Sequence, residues 1–348
     1  MSEIAEQSVL DFHTYPPVGS DDWQYAFQAA QVRTLEIQML TRAVLLDMTN
    51  AQNFEQAADL LSGTEYALPQ GAKDIAQAET VLQQTRTALR ELFSDLMLDE
   101  SIVQLFKARD DFANLRLALR RSLTEKPIGT DYSPDGNIPP EQLEQLLSEQ
   151  GEFSSQASTE YIQQAVEKTI LAYYQDKDIR QIDYQIDSFQ AGYNLKTARR
   201  LSSIFLLSLF RTQIDLTNIR TMFRLKFTAS EEHKVFLTGG FVESERFKNA
   251  LEHGYEAMGQ LFFATPYHRI VEIGANYLAS NKSFLRIEQQ CDEYLTGFLK
   301  SSFVITAGPQ PVIAFLLLKE NEIRTVRLIL TAKKNCLDTK LILDRIGK

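Results

Sequence analysis

Cysteine is nearly missing from this chain: Cys291 and Cys336 are the only two in 348 residues. That excludes a disulfide framework and any cysteine-based metal spacing, and a reducing compartment fits. Long apolar runs are missing as well. The most apolar stretch, Val312 to Leu318, falls far short of the ~20 residues needed to cross a bilayer. Nothing at the N-terminus reads as a signal peptide, so a soluble chain is expected, with any membrane association made through partners. Positive charge is short too: the net charge of -10 argues against a broad nucleic-acid-binding surface. No sustained strand alternation occurs, and β-rich pieces such as Phe303-Val304-Ile305-Thr306 are isolated.

Catalytic signatures are also absent. There is no Walker A sequence, no G-x-G-x-x-G, no H-E-x-x-H and no G-x-S-x-G. The four histidines, His13, His233, His253 and His268, are scattered and read as surface or capping residues rather than ligands. Asp110-Asp111 begins like a magnesium-binding D-D-x-x-D helix, but Asn114 stands where the third acid belongs. Gly239-Gly240 lacks the lysine of a phosphate loop and reads as a turn. No nucleophile, base and stabiliser come together. The expectation is therefore no catalytic site, no cofactor and no metal.

What is present is a ten-residue stretch that recurs. The copies begin at Asp111, Asp215 and Glu322, so their spacings are 104 and 107 residues. Asp111, Asn114 and Arg116 recur as Asp215, Asn218 and Arg220, then more weakly as Glu322, Thr325 and Arg327. Arg120 and Arg224 close the first two copies, where the third has Thr331. A period this long points to repeated small domains rather than a solenoid. Helical periodicity gathers Leu105, Ala108, Phe112, Leu115 and Leu119 into a stripe roughly 80° wide. The second copy repeats it with Leu209, Thr212, Leu216, Ile219 and Phe223, and the third with Leu316, Lys319, Ile323, Val326 and Leu330. The acid and the arginine flank opposite edges of the stripe, so they cannot pair within one helix. They should reach neighbouring helices; packing is preferred to partner contact as their role.

Along the chain, residues 1–22 form an acidic leader with five acids and no lysine or arginine. Asp21 or Asp22 should cap one long helix starting near Trp23, with Ala26, Ala30, Leu35, Met39, Val44 and Leu46 on its apolar face. A helix over Phe54 to Leu61 should stop at Ser62-Gly63, and another should span Ala72 to Leu98. Four of the ten prolines fall within 127–140, which reads as a linker or surface loop. Helices are expected over Glu141 to Glu149 and from Glu160 to Asp187. The third unit opens at Phe236-Leu237-Thr238-Gly239-Gly240. Thr64-x-Tyr66 and Thr265-x-Tyr267 predict one turn used twice, and Asp187 echoes Asp292. The last long helix should start at Pro309 and reach about Thr331, followed by Thr339 to Ile346. Domains are expected at 23–125, 126–235 and 236–348.

Gly308-Pro309, Val312-Ile313-Ala314-Phe315, Lys319-Glu320-Asn321-Glu322-Ile323-Arg324 and Val326 to Leu330 resemble the C-terminal signature of the C subunits of V-type/A-type ATP synthases. That is the family of the eukaryotic vacuolar ATPase d subunit. Phe236 to Val242 with Arg246-Phe247, and Asn218 to Lys226, are similar to its other motifs, over about 23–348 in all. The resemblance implies an all-α fold of three homologous helical bundles, arranged as a funnel with pseudo-threefold symmetry. It implies a non-catalytic rotor subunit on the cytoplasmic face of the membrane, one copy per complex. Its partners would be the central shaft subunits, of D and F type, and the membrane proteolipid ring, with torque transmitted for H+ or Na+ transport. A generic helical scaffold or adaptor is the alternative. The nine motif residues would serve packing or partner contacts.

Overall fold

The computed structural model describes residues 14–69, 74–124, 131–147, 160–229 and 235–347. Among them there are helices and no strands. In chain order they are α1 (Ala26–Glu36), α2 (Arg42–Asn50), α3 (Phe54–Asp59), α4 (Ile75–Leu96) and α5 (Glu100–Leu123). Then come α6 (Pro140–Leu147), α7 (Glu160–Asp176), α8 (Arg180–Arg200), α9 (Ile204–Thr228) and α10 (Ser244–Glu252). Last are α11 (Tyr255–Leu261), α12 (His268–Asn281), α13 (Leu285–Ser301), α14 (Pro309–Lys334) and α15 (Thr339–Ile346). Residues 1–13 of the leader, which include His13, lie outside the described residues, as do Ala72, residues 127–130, Glu149 and His233. No described helix is long and apolar enough to cross a membrane.

Two compact units emerge. In one, residues 99–248, α5 packs against α6, α7 and α8, and α8 against α9. Its core joins Phe112, Leu115 and Leu119 to Ile138, Leu143, Ile162, Ile182 and Ile186. In the other, residues 14–98 with 249–347, α14 lies against α1, α2, α3 and α4, and α13 against α12 and α15.

The three motif helices are α5, α9 and α14. All fifteen stripe positions are at most 4% exposed, including the polar Thr212 and Lys319. Helical period alone placed that face correctly. Local chemistry sets the ends. Asp99 and Ser203 cap α5 and α9 through Ser101 N–H and Leu206 N–H, and Pro309 starts α14. The T-x-Y turn is indeed one device used twice. Thr64 Oγ1 donates to Leu61 O and accepts from Tyr66 N–H at 2.7 and 3.2 Å, and Thr265 does the same to Phe262 O and from Tyr267 N–H at 2.7 and 3.2 Å.

Other expectations are corrected. The long helix from Trp23 is broken: a 3-10 turn over Trp23–Tyr25 leads into α1, which ends at Glu36, and α2 starts at Arg42. Its buried face is Tyr25, Ala29 and Val32, while Ala26 and Ala30 are exposed. At the junction Thr41 caps α2 by accepting from Val44 N–H, and Leu40 N–H is claimed by a distant carboxylate, described below. The stretch Glu160 to Asp187 also divides, at Lys177 with φ 51°, into α7 and α8. As expected, the isolated β-rich piece Phe303 to Thr306 forms no strand; Ser302–Val304 is a 3-10 turn.

Candidate functional site

The recurring polar residues form a clamp. Asp215 is fully buried on α9 and accepts N–H bonds from Phe241 at 2.9 Å and Val242 at 3.1 Å. Three residues along, Asn218 accepts from Leu237 N–H at 2.8 Å and donates to Leu237 O at 2.9 Å. On α5, Asp111 accepts from Ile138 N–H at 3.0 Å, the Asn137 amide at 2.9 Å and the Tyr161 hydroxyl at 2.8 Å. Asn114 brackets the backbone of Ser133 at 2.8 Å on both sides. The offsets match: the acid reaches a backbone N–H 27 residues on, and the asparagine one 19 residues on, in both copies. Each clamp fastens the segment two residues ahead of the next short helix, α6 or α10. The described part of the proline-rich loop is thus pinned, not a free linker. Both aspartates hold the loop that follows their own helix, and Asp111 also reaches α7 through Tyr161, which differs from what wheel geometry alone implied.

The third copy does the same work with different atoms. Glu322 on α14 accepts from Leu40 N–H at 2.7 Å and from the Tyr66 hydroxyl at 2.7 Å. Leu40 lies two residues ahead of α2, as Ile138 and Val242 lie ahead of α6 and α10. Tyr66 serves Glu322 as Tyr161 serves Asp111. Thr325 departs from the pattern and donates to Asn321 O of its own helix. The reason is visible in the fifth residue before the clamped N–H. It is Ser133 or Leu237 in the loops of the first two copies, but Leu35 in the third, inside α1. A helical residue already has its backbone partners, so no asparagine is needed.

Two glycines were missed as part of this device. A Cβ on Gly136 would fall 2.3 Å from Asp111 Oδ1, and one on Gly240 would fall 2.0 Å from Asp215 Oδ1. Both sit 25 residues after their aspartate, an equality of spacing that the sequence held. Gly136→Ala and Gly240→Ala should each cost about 2 kcal/mol by dislodging a buried carboxylate. Gly192→Ala on α8, where a Cβ meets nothing within 4 Å, should instead stabilise by about 0.5–1 kcal/mol. Thermal melts of the three variants check the contrast.

The arginines reach neighbouring helices. Arg116 pairs with Asp187 and Asp183 of α8, and Arg120 with Asp183. Arg327 meets Glu79 of α4 at 2.9 Å, and Arg220 lines a trough beside α8. Asp292, the echo of Asp187, pairs with Arg345 at 2.6 Å. Burial outweighs the Arg116 guanidinium and holds the Asp187 carboxyl above its ordinary 3.8. Burial likewise raises Asp111 from 3.8, against the hydrogen bonds from Ile138, Tyr161 and Asn137. Between 3.8 and those raised values the folded chain binds the extra proton, so stability falls as pH rises through that window and is flat above it. Urea midpoints followed from about pH 3.5 to 7 should show this decline, and Asp187→Asn should remove part of it.

Among the described residues, no group of three or more His, Cys, Asp or Glu is arranged to hold a metal ion. The recurring polar groups fasten backbone to backbone. The class so defined is an all-α protein in which the acids of a recurring helical motif clamp distant backbone. The sequence profile of the ATP synthase (C/AC39) subunit matches residues 29–345. The chain belongs to that family, whose members are subunits of V-type/A-type ATP synthases. It is 23% identical over 323 residues to the V-type sodium ATPase C subunit of Enterococcus hirae, covering 90% of this chain and 95% of the relative. It is 22% identical over 331 residues to the A-type ATP synthase C subunit of Methanocaldococcus jannaschii, covering 89% and 82%.

Proposed function

We propose that this chain is the non-catalytic rotor subunit that couples the central shaft of a V-type/A-type ATPase or ATP synthase to its membrane proteolipid ring. It transmits torque for H+ or Na+ transport from the cytoplasmic face, as one peripheral copy per complex. Its partners are the D- and F-type shaft subunits and the ring. Three repeat domains, 23–125, 126–235 and 236–348, form a funnel with pseudo-threefold symmetry, whose mouth takes the shaft foot while the opposite face meets the ring.

The observation that supports this reading is the recurrence of the clamps. The first copy fastens the segment entering the second, the second fastens the segment entering the third, and Glu322 fastens Leu40 and Tyr66 of the first. Repeats tied in sequence by buried polar bonds and dense helix packing resist deformation, as a torque link must. Family membership supports the same reading.

Co-purification from solubilised membranes tests it. Tagged protein should bring down shaft subunits and the ring; soluble partners alone would favour an unrelated scaffold. The arginines sort packing from contact. Arg116→Glu sets a third carboxylate beside Asp183 and Asp187 and should lower the melting temperature by a few degrees, roughly 1 kcal/mol for a half-exposed site. Arg220→Glu and Arg327→Glu should behave alike. If all three keep wild-type melting yet lose shaft binding, these arginines are contacts.

A further inference from the structure

One helix of the unit built on residues 14–98 and 249–347 turns an apolar face to solvent. Trp23, Phe27 and Ile37 are 68%, 73% and 83% exposed, and Ala30 and Thr34 lie exposed between them. Phe27, Ala30, Thr34 and Ile37 fall within about 80° of one another at 100° per residue, on the side of α1 opposite the buried Ala29 and Val32. Phe303 and Val304, both exposed, extend the patch. They adjoin α1 because the Arg33 guanidinium lies 4.7 Å from the centre of the Phe303 ring and donates to Ile305 O at 3.1 Å. Soluble monomers seldom leave so many large apolar side chains together in water.

Charge and spacing define what this face accepts. No exposed position from Trp23 to Gln38 carries a charge, in a chain of which 24% is charged. The two charges within that span, Arg33 and Glu36, are partly buried and bound to each other at 2.9 Å. Thr34, the polar member of the row, donates its hydroxyl to Ala30 O at 3.2 Å, within its own helix. A charged partner would find no counter-charge here, so the complementary surface is itself uncharged and apolar. A lipid layer suits the face poorly, since helices lying in a membrane interface carry lysine or arginine on their polar side. The row 23, 27, 30, 34, 37 advances by steps of 4, 3, 4 and 3, the seam that one helix offers another. Small Ala30 and Thr34 stand between the large end residues, so a second helix can come close at the middle.

We propose that the exposed face of α1, with Phe303 and Val304 beside it, is a docking seam for an uncharged, apolar α-helix of another protein chain. Trp23 and Ile37 bracket about four turns of that helix, and Ala30 takes its closest approach. The proposal does not rest on the rotor assignment: a helix supplied from outside a rotary ATPase keeps it and sinks that assignment.

Photo-crosslinking of the tagged full chain within its native assembly tests the proposal, with p-benzoylphenylalanine in place of Phe27 and the adduct mapped by mass spectrometry. The adduct is expected on a segment of another chain whose uncharged apolar residues recur every three and four positions. Ala30→Arg should cut its yield about 10-fold or more by stranding a charge in the seam. Gln84→Arg, at an exposed position on α4, should leave it unchanged. Should Ala30→Arg fail to fold, Thr34→Arg takes its place. Trp23 is the only tryptophan, so its emission reports the same face in the isolated chain. That emission should stay that of a solvent-exposed indole as protein concentration rises and when zwitterionic or anionic vesicles are added. A blue shift with concentration gives the face to a second copy, and one with vesicles gives it to lipid. An adduct on residues 1–13 gives it to the chain's own leader. Each of these overturns the proposal, as do equal losses in the two arginine variants, adducts scattered over unrelated segments, or no adduct.

Discussion

Asp215→Ala should lower the stability of its unit by about 2–5 kcal/mol, because it strips two buried backbone N–H groups of their acceptor. Phe241 and Val242 donate to that carboxylate from a loop that the Asn218 bracket on Leu237 and the Arg211 bond to Gly240 O also hold. At roughly 2–4 °C per kcal/mol for a unit this size, the melting midpoint should fall by about 4–20 °C. Asp111→Ala should fall at least as far, since it also deprives the Asn137 amide and the Tyr161 hydroxyl. Asp215→Asn retains one acceptor oxygen but turns an N–H donor toward a backbone N–H, so it should recover little. Calorimetric scans of the three variants settle it. Midpoints within about 2 °C of wild type would show that the clamp is incidental to stability.

Glu322→Ala should be the more costly change in the third copy. It leaves Leu40 N–H and the Tyr66 hydroxyl without their acceptor and removes one partner of the buried Lys319 ammonium. Lys319 is 4% exposed and would keep Glu65 and the face of the Tyr66 ring, 5.0 Å away. Breaking a buried pair from one side typically costs about 3–5 kcal/mol, much of it the penalty on the charge left behind. Glu322→Gln, which keeps an acceptor but not the charge, should cost roughly 1–2 kcal/mol. A cycle with Lys319→Met should show the two losses to be strongly non-additive. Hydrogen exchange supplies a local readout: the Leu40 amide should open much faster in Glu322→Ala. Unchanged protection at Leu40 would mean the carboxylate does not hold the α1–α2 junction.

That junction marks the limit of what could be read from residues alone. Residues 23–46 carry apolar side chains at nearly helical spacing, and propensity alone extends one helix through them. At the break Thr41 caps α2, and a carboxylate 282 residues away in sequence takes the Leu40 N–H that a continuous helix would use. Neither proline nor glycine announces it. At the division after α7, Lys177 is left-handed and Asp178 accepts from Arg180 N–H at the start of α8. By contrast the T-x-Y turns were legible, because a threonine hydroxyl bonding across a turn is a local event with a fixed residue pattern.

The motif residues fall between these cases. Periodicity gave the buried stripe and put the acid and the arginine on its edges, so the need for partners was clear. Which partners was not. A wheel shows where a side chain leaves its own helix, and says nothing of the backbone that returns 19 or 27 residues later. Gly136 and Gly240 could have been found by spacing, but their meaning depends on a carboxylate lying against the glycine Cα. Thr325 looked like a weakened copy of Asn114 and Asn218. It is instead the consequence of α1 occupying the place where the other copies have loop.

By itself, then, the sequence determined the helical class, the threefold recurrence, the buried faces of α5, α9 and α14, and most helix ends. These follow from period, capping and turn chemistry, all of which act within a few residues. Tertiary structure alone decided which loop each acid fastens, and that two arginine doublets a hundred residues apart line one trough. Those outcomes depend on which buried donors meet which acceptors after the chain has folded back, and pairing across such distances leaves no local pattern to read.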